Sequence, residues 1–501
     1  MLAGAINTNV NALYALNALT NTANKASTLE QQLSSGQSIS SPADNPAGYI
    51  AAQGFTTEIG GNEQAVSNVN QAISLVQTAD GALTQQINIL QQIQNISNQA
   101  ANGINNTQQL QSLQQVVSQL QTQVTTIAQQ TVFNGRNLLD GSFNGVQFQV
   151  GASEGQTIGL SVGSRLATQI GANLSSAAAA GLYHTHGSAS GAVGDVSGNS
   201  YAITTAGAGA FTAGSIGIAG SSGNANATVG ATTQSAQDVA ASINALTAQT
   251  NVTASADTSV AFTVTAGSIS FVLGNGNDGA GAQTNAVNVA ATVSSVSQSG
   301  LQSLVDAINQ QTGSTGVTAT VNSSNQLVLT QAQGDNISIT GFAGSGTLAA
   351  GGTTTVTLAA AGTTSATVQG LVTVQSNQAF ALSTAASDIG LNTSSSLSTL
   401  AGVNVSTVSG ANSALNIVSS ALQQLENVGA QLGALQQRLQ ATASNLQTTN
   451  TNLTAARSVV QDASIPQVTT QLTQQEILQQ AGVSALSQSS ALQQSFLKLL
   501  Q

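Results

Sequence analysis

Leucine or valine recurs at every seventh position over a long C-terminal stretch: Val418, Leu425, Leu432, Leu439, Leu446, Leu453 and Val460. A seven-residue apolar period marks a helix that buries a narrow seam against another helix. A second ladder lies toward the other end of the chain, at Ile59, Val66, Val69, Ile73, Val76, Leu83, Ile87 and Leu90. Asp80 intrudes on it at a seam position, which fits either a register-setting group or a partly exposed end of the seam. Two distant helices with matching seams predict a chain that folds back on itself and whose task is packing, not chemistry.

The same pattern predicts further helices. Residues 1 to about 40 form an amphipathic helix with Ile6, Val10 and Leu13 on one face and Leu29 and Leu33 further along. Gly36, Pro42, Pro46 and Gly48 then impose a connector. Helix returns over 58–100 and again over 108–130, where Leu110, Leu113, Val117, Leu120, Val124 and Ile127 are spaced by three and four. Beyond the turn glycines 135, 141, 145 and 151, the run Val146-Gln147-Phe148-Gln149-Val150 alternates as a strand. The opening ladder occupies one helix over 410–460, Pro466 interrupts, and 472–500 forms a last amphipathic helix with Leu478, Leu486, Leu492, Phe496 and Leu499 as its apolar side.

From about 172 to 400 the texture is different. Gly, Ser, Thr and Ala dominate, and short alternations such as Ala261-Phe262-Thr263-Val264 and Ser268-Ile269-Ser270-Phe271-Val272-Leu273 predict small β-rich domains. An internal repeat is visible. Ala213-Gly214-Ser215-Ile216-Gly217-Ile218 is matched by Ala266-Gly267-Ser268-Ile269-Ser270-Phe271, and Asp238-Val239-Ala240-Ala241-Ser242-Ile243-Asn244 by Ser303-Leu304-Val305-Asp306-Ala307-Ile308-Asn309. Each copy reads as one α+β unit, with a short helix followed by a strand such as Val317–Val321.

Composition narrows the function. The 501 residues are too many for one ordinary core. Charged residues are only 5% of the chain, against roughly 25% in typical proteins, so Gln, Asn, Ser and Thr supply the polar surface. The net charge is -11, and no Lys or Arg lies between Arg165 and Arg438. Nucleic acid and polybasic membrane binding, which both need clustered cations, are not expected. Cysteine is absent, which excludes disulfides and thiolate metal sites. No apolar run is long enough to span a bilayer, and residues 1–9 lack the basic and apolar regions of a secretory signal.

Several motifs, in order at both ends, resemble bacterial flagellin, the filament subunit of the flagellum. At the N-terminal end these are Ile6-Asn7-Thr8-Asn9-Val10, Gln32-Leu33-Ser34-Ser35-Gly36, Ala79-Asp80-Gly81-Ala82-Leu83, Phe133-Asn134-Gly135-Arg136-Asn137-Leu138-Leu139 and Phe148-Gln149-Val150-Gly151-Ala152. At the C-terminal end they are Leu432-Gly433-Ala434-Leu435-Gln436-Gln437-Arg438-Leu439, Asn452-Leu453-Thr454-Ala455-Ala456-Arg457-Ser458 and Ile477-Leu478-Gln479-Gln480-Ala481-Gly482. The resemblance covers about the first 170 and last 100 residues. The middle repeats are similar to insert modules found in flagellins.

The resemblance implies a mainly α fold with a β-rich insert. Residues 1–42 and 459–501 would form a terminal coiled-coil assembly domain. Residues 43–172 and 401–458 would form a helical rod with a β-hairpin, and 173–400 an outward-projecting insert holding modules at about 213–262 and 266–340. It implies self-assembly into a helical homopolymer, export through the flagellar channel without a cleaved signal peptide, and an export chaperone, a filament cap and hook-junction proteins as partners. No cofactor or enzymatic activity is implied.

Apolar faces at the extreme ends cannot bury themselves in a lone subunit, so Ile6, Val10, Leu13, Leu478, Leu486, Leu492, Phe496 and Leu499 are the expected assembly residues. Rod packing falls to Ile59, Val66, Val69, Ile73, Val76, Leu83, Ile87, Leu90, Leu425, Leu432, Leu439, Leu446 and Leu453. Arg438 and Arg457 match family positions and are expected in structural ion pairs. The family segment read by the vertebrate Toll-like flagellin receptor aligns with Leu90–Gln99. Where recognised members carry Arg, this chain has Gln92 and Gln94 flanking Ile93, and Asn95 stands near the family's Glu; neutral amides cannot replace bidentate cations.

Other classes stay open at this point. An inserted metalloprotease needs His-Glu-x-x-His, whereas the only histidines are His184 and His186, with no third ligand in sight, so no metal site is expected. A hook–filament junction protein shares the terminal helices, and a Ser/Thr-rich, O-glycosylated adhesive surface suits the middle.

Overall fold

The computed structural model describes residues 9–102, 104–176, 190–194, 200–204, 214–229, 235–275, 284–322, 324–351, 355–362, 365–383 and 391–499. Its helices are α1 (Val10–Ser35), α2 (Pro46–Ala101), α3 (Thr107–Gln130), α4 (Ala236–Asn244), α5 (Thr247–Thr250), α6 (Gln302–Asn309), α7 (Thr312–Thr315), α8 (Val408–Gln461) and α9 (Ile465–Leu499). The chain divides into two compact units. The first comprises Met1–Val76, Gly145–Leu160 and Ala434–Gln501, the second Gln77–Asn144 and Ser161–Gly433.

Burial along α2 includes two strict seven-residue ladders, beside which Ala52, Ile59, Leu75, Ala82 and Ile89 are also buried. One is Asn62, Val69, Val76, Leu83, Leu90 and Ser97; the other is Ala65, Ala72, Ala79, Gln86, Ile93 and Ala100. Every member of both is buried. Of the residues assigned to the seam from sequence, Ile59, Val69, Val76, Leu83 and Leu90 are buried, whereas Val66, Ile73 and Ile87 are only half-buried. Four of the six residues of the second ladder are alanines. Asp80 is exposed beside Ala79, so it is off the seam. In the second unit α8 passes close to it, where a Cβ placed on Gly429 would lie 4.0 Å from Asp80 Oδ1. Along α8, Val418, Leu425, Leu432 and Leu439 are buried, and Leu446, Leu453 and Val460 are half-buried. Arg438 is exposed and Arg457 half-buried. Neither forms an ion pair among the described residues, because no carboxylate stands within a helical turn of either on α8. This corrects the ion pairs expected from sequence.

In the first unit, the strands Val146–Gln149 and Thr157–Leu160 pair antiparallel, with Phe148 opposite Ile158. Their hairpin rests on α2, where Asn68 Nδ2 donates to Gln149 O at 3.1 Å. Gly61 makes this approach possible: a Cβ there would stand 2.7 Å from Ala152 Cβ, well inside contact distance.

In the second unit, side-chain amides tie loops to helices. Gln86, fully buried on α2, donates from Nε2 to Val124 O at 2.9 Å on α3 and to Arg165 O at 3.2 Å. Gln121 on α3 donates to Leu400 O at 2.8 Å and Val403 O at 3.0 Å. Gln114, two turns earlier, donates to Val403 O at 3.4 Å and accepts from Val405 N at 2.6 Å. Gln424 on α8 donates to Gly171 O at 2.8 Å and Asn377 O at 2.6 Å. The entry and exit strands of the central region are thereby fastened to α3 and α8. Burial pushes the Arg165 guanidinium down, and its Nε donates to Gly163 O at 3.3 Å.

The central region carries antiparallel sheets. The largest has the order 317–321, 327–331, 253–264, 371–376, 171–176, 396–399. A second runs 284–293, 267–275, 337–344, 366–368, 200–204, 190–194. A small third sheet joins Gly214–Ala219 to Asn224–Val229 and Ala381–Leu382. Two hydrophobic cores result. One gathers Ile216, Ile218, Val239, Ile243, Val252 and Val374 under α4. The other gathers Phe262, Phe271, Leu273, Ile308, Leu329 and Phe342 under α6, with the Phe271 and Phe342 rings stacked at 6.2 Å. The strand Thr253–Val264 serves both, giving Ala254 to the first core and Val260, Phe262 and Val264 to the second.

The repeat read from sequence extends to hydrogen bonds. Asn244 brackets Ala254, donating to its carbonyl at 2.8 Å and accepting from its N–H at 2.7 Å. Asn309 brackets Ala319 the same way at 2.9 and 2.7 Å. Thr247 Oγ1 donates to Val252 O as Thr312 Oγ1 does to Val317 O. Likewise Thr250 Oγ1 and Thr315 Oγ1 accept from Val252 N and Val317 N.

Replacing Gln121 by Leu keeps the bulk but removes the amide that bridges the Leu400 and Val403 carbonyls, each of which retains one other donor, Val403 N at 3.2 Å and Gln114 Nε2 at 3.4 Å. A lost intramolecular hydrogen bond costs about 0.5–1.5 kcal/mol, so the Gln121→Leu chain should unfold at modestly lower denaturant concentration, as followed by circular dichroism in urea.

Candidate assembly surface

The first unit pairs α1 antiparallel with α9. Asn9 anchors the start of the pair. Its Oδ1 caps α1 by accepting from Ala12 N at 2.9 Å, and its Nδ2 donates to Ser489 Oγ at 3.3 Å on α9. Midway, Gly482 lies against Leu19, whose Cδ1 would stand 3.5 Å from a Cβ at that position. At the far end α1 stops at Gly36, which takes the left-handed conformation at φ 70°. There Ala463 N donates to Gly36 O at 2.9 Å, and Ser38 N donates to Gln461 O at 2.7 Å. The chain therefore turns from α1 to α2 beside the point where it turns from α8 to α9.

Each connector is built locally. Asp44 Oδ2 accepts from the backbone N–H groups of Ser41 at 2.8 Å and Ser40 at 3.0 Å and from both hydroxyls. These donors hold its carboxyl below the usual carboxylate range. Pro466 sits in the first turn of α9, where a missing N–H leaves no helical bond unmade. It begins that helix, so the expected interruption is confined to residues 462–464 and the helix starts before residue 472.

The pair leaves a large apolar surface uncovered. On α1, Val10, Leu13 and Leu16 are about half exposed and Tyr14 is 72% exposed. On α9, Ile477 is 62% exposed, with Leu478 and Val483 close to half. Thr470, Thr473, Gln474, Ile477 and Leu478, spaced by three and four, line an open groove along one face of α9. Only Ala26 is buried on α1 among its described residues. Most of the exposed large apolar side chains of the first unit thus lie on the paired helices.

Of the assembly residues read from sequence, Val10, Leu13 and Leu478 lie on this surface and Leu486 is half-buried. Ile6 lies outside the described residues; Leu492, Phe496 and Leu499 fall within α9, with their side chains outside the described set. Tyr14, Leu16, Ile477 and Val483 were missed. Tyr14 stands four residues after Val10 and Ile477 seven after Thr470, so helical spacing carried a signal that the search for leucines passed over. Of the receptor-segment positions, Gln92 and Asn95 are exposed, Gln94 is half-buried and Ile93 is buried on α2.

Among the described residues no three His, Cys, Asp or Glu side chains come together, and no helix is long and apolar enough to cross a membrane. His184 and His186 lie outside the described residues.

The comparisons with known proteins agree in the elements they mark. The chain matches the bacterial flagellin N-terminal helical region over residues 6–144 and the C-terminal helical region over 415–500. The flagellin hook IN motif matches residues 275–333, which carry the second copy of the repeat. Flagellin B of Vibrio anguillarum is 40% identical over 157 residues, covering 31% of this chain and 42% of that protein. A solved structure of FliC from Burkholderia pseudomallei is 19% identical with a TM-score of 0.28, covering 73% of this chain and 99% of that one. The flagellar junction protein FlgL from Legionella pneumophila is 13% identical with a TM-score of 0.32, covering 82% and 100%. The B-type flagellin of Pseudomonas aeruginosa is 34% identical over 520 residues, spanning all of both proteins. With a match of that identity running end to end over terminal helices and insert alike, the chain belongs to the bacterial flagellin family.

Proposed function

We infer that this chain is a structural subunit that self-assembles into the extracellular flagellar filament used for swimming. The observation that carries the reading is the uncovered apolar surface of the α1–α9 pair, together with family membership. A filament needs heterologous contacts that repeat without closing. Helix faces exposed in one subunit and covered by its neighbours supply them, and each large apolar side chain so covered contributes about 1.5–3 kcal/mol. The half-burial of Leu446, Leu453 and Val460 in the same unit fits a contact that further copies complete.

Within this reading, 1–42 and 459–501 form the assembly domain, 43–172 and 401–458 the rod, and 173–400 the outward insert. Export proceeds through the flagellar channel with a chaperone, and the cap and hook-junction proteins are the further partners. A junction protein is the alternative; the end-to-end likeness to a flagellin of Pseudomonas aeruginosa favours the filament subunit.

Leu13→Asp combined with Ile477→Asp places charge on exposed positions and so spares the monomer. The expected result is unchanged helicity by circular dichroism and no long tubes by negative-stain microscopy; normal filaments would refute the assignment of the surface. With so few charged side chains, assembly should depend on apolar packing and neutral hydrogen bonds. The critical concentration for polymerisation is therefore expected to change little between about 0.05 and 0.5 M NaCl, a range that shortens the Debye length about threefold. A steep rise with salt would contradict this. Gln92, Gln94 and Asn95 in place of charged family residues predict weak signalling through the Toll-like flagellin receptor, and full potency of purified monomer in a cell reporter assay would overturn that expectation.

A further inference from the structure

The α1–α9 pair carries a knob and a groove of matching chemistry. Among the described residues of α1, Tyr14 is the most exposed large apolar side chain, with Val10 and Leu13 beside it. A tyrosine offers a flat apolar body and a hydroxyl at its tip that takes a polar partner when covered. The groove on α9 has the same two parts. Ile477 and Leu478 form its apolar end, and Thr470, Thr473 and Gln474 its polar end. Thr470 Oγ1 donates to Pro466 O at 2.7 Å and Thr473 Oγ1 to Thr469 O at 2.9 Å. Both hydroxyl protons are thus spent within the helix, and their oxygens remain acceptors. The exposed Gln474 amide has no partner among the described residues.

Knob and groove do not meet within one chain. The two helices touch where Leu19 lies against Gly482. Tyr14 precedes Leu19 by five residues, and Ile477 precedes Gly482 by five. At 3.6 residues per turn each therefore lies about 140° round its helix from that contact. Tyr14 projects from the α1 side of the pair, and the groove opens on the α9 side. They differ in level as well. Asn9 is held to Ser489 and Leu19 lies by Gly482, which sets Tyr14 level with Leu486. From there to Gln474 is about 12 residues, or roughly 18 Å along α9.

We propose that Tyr14 of one copy seats in the α9 groove of a second copy of this chain. Its ring lies on Ile477 and Leu478, and its hydroxyl meets Gln474. The proposal rests on the filament-subunit reading and names a contact within it. Because knob and groove lie on opposite sides of the pair, every copy gives one tyrosine and receives one. Such a contact is heterologous and repeats without closing on itself. The step of roughly 18 Å between the two levels staggers each copy along its neighbour. No charged residue lies between Val10 and Asn24, so covering this part of α1 desolvates no ion.

The chain has no cysteine, so an introduced pair reports on one contact. Full-length chains carrying both Tyr14→Cys and Gln474→Cys are polymerised, oxidised with copper phenanthroline and run on a non-reducing gel. A disulfide needs Cα atoms within about 7 Å, which the difference in level forbids inside one copy. Filaments of the double variant should give a ladder of covalent multimers, and either single variant monomer alone. Filaments seen by negative-stain microscopy that yield only monomer overturn the seat and leave the subunit reading standing. Dimers from Tyr14→Cys alone overturn it in favour of a symmetric contact, and a wild-type chain that forms no tubes sinks both readings. Should the double variant not polymerise, a cycle of Tyr14→Ala and Ile477→Ala decides by critical concentration. Each change is expected to raise it about tenfold or more, and the two together little beyond the larger single effect. Effects that multiply in the combined variant overturn the contact.

Discussion

A helix of 56 residues, nearly without charge, has little of its own to hold it in water. What sustains α2 is a seam of buried positions recurring every seventh residue from Asn62 to Ala100. Seven of its twelve residues are alanine or polar rather than large and aliphatic. Small side chains let a neighbouring backbone come close, and the larger Val69, Val76, Leu83 and Leu90 fill the space beside them. In the first unit the hairpin of 146–160 rests on α2; in the second, α3 is tied to α2 and the roots of the insert, paired with each other through 171–174 and 396–399, are tied to α3 and α8.

The fixing is done by amides. Gln86, Gln114, Gln121 and Gln424 each hold two or three backbone groups remote in sequence. A neutral amide can be buried at much lower desolvation cost than an ion pair, and it both donates and accepts. The scarcity of charge is thus part of how the structure closes.

Much of the helical architecture could be read from periodicity. Val418, Leu425, Leu432 and Leu439 recur at seven and are buried. The duplicated unit was visible in Asp238–Asn244 and Ser303–Asn309, and the paired brackets of Asn244 and Asn309 give it a physical basis. Where reading failed, it failed by equating apolar with buried. Val66, Ile73 and Ile87 are more apolar than Ala65, Ala72 and Gln86, yet they are the less buried set. How close a neighbour comes decides which rung of a helix is sealed, and closeness is not written in one helix's own sequence. The exposed Tyr14, Leu16 and Ile477 were overlooked for a related reason, because an apolar side chain looks the same in sequence whether the fold buries it or leaves it at the surface.

The sequence by itself determined where helices run, that the ends are long and seamed, that the middle is a repeated β-rich insert, and that cations are too few for nucleic acid. These follow from period, turn residues and composition, which act within a few residues of chain. The tertiary structure alone decided two things: that α1 lies antiparallel on α9 with Leu13 and Leu16 left exposed, and which glutamines clamp which loops. Each depends on groups brought together from distant parts of the chain, and only the packed fold sets the distances at which dispersion and hydrogen bonding act.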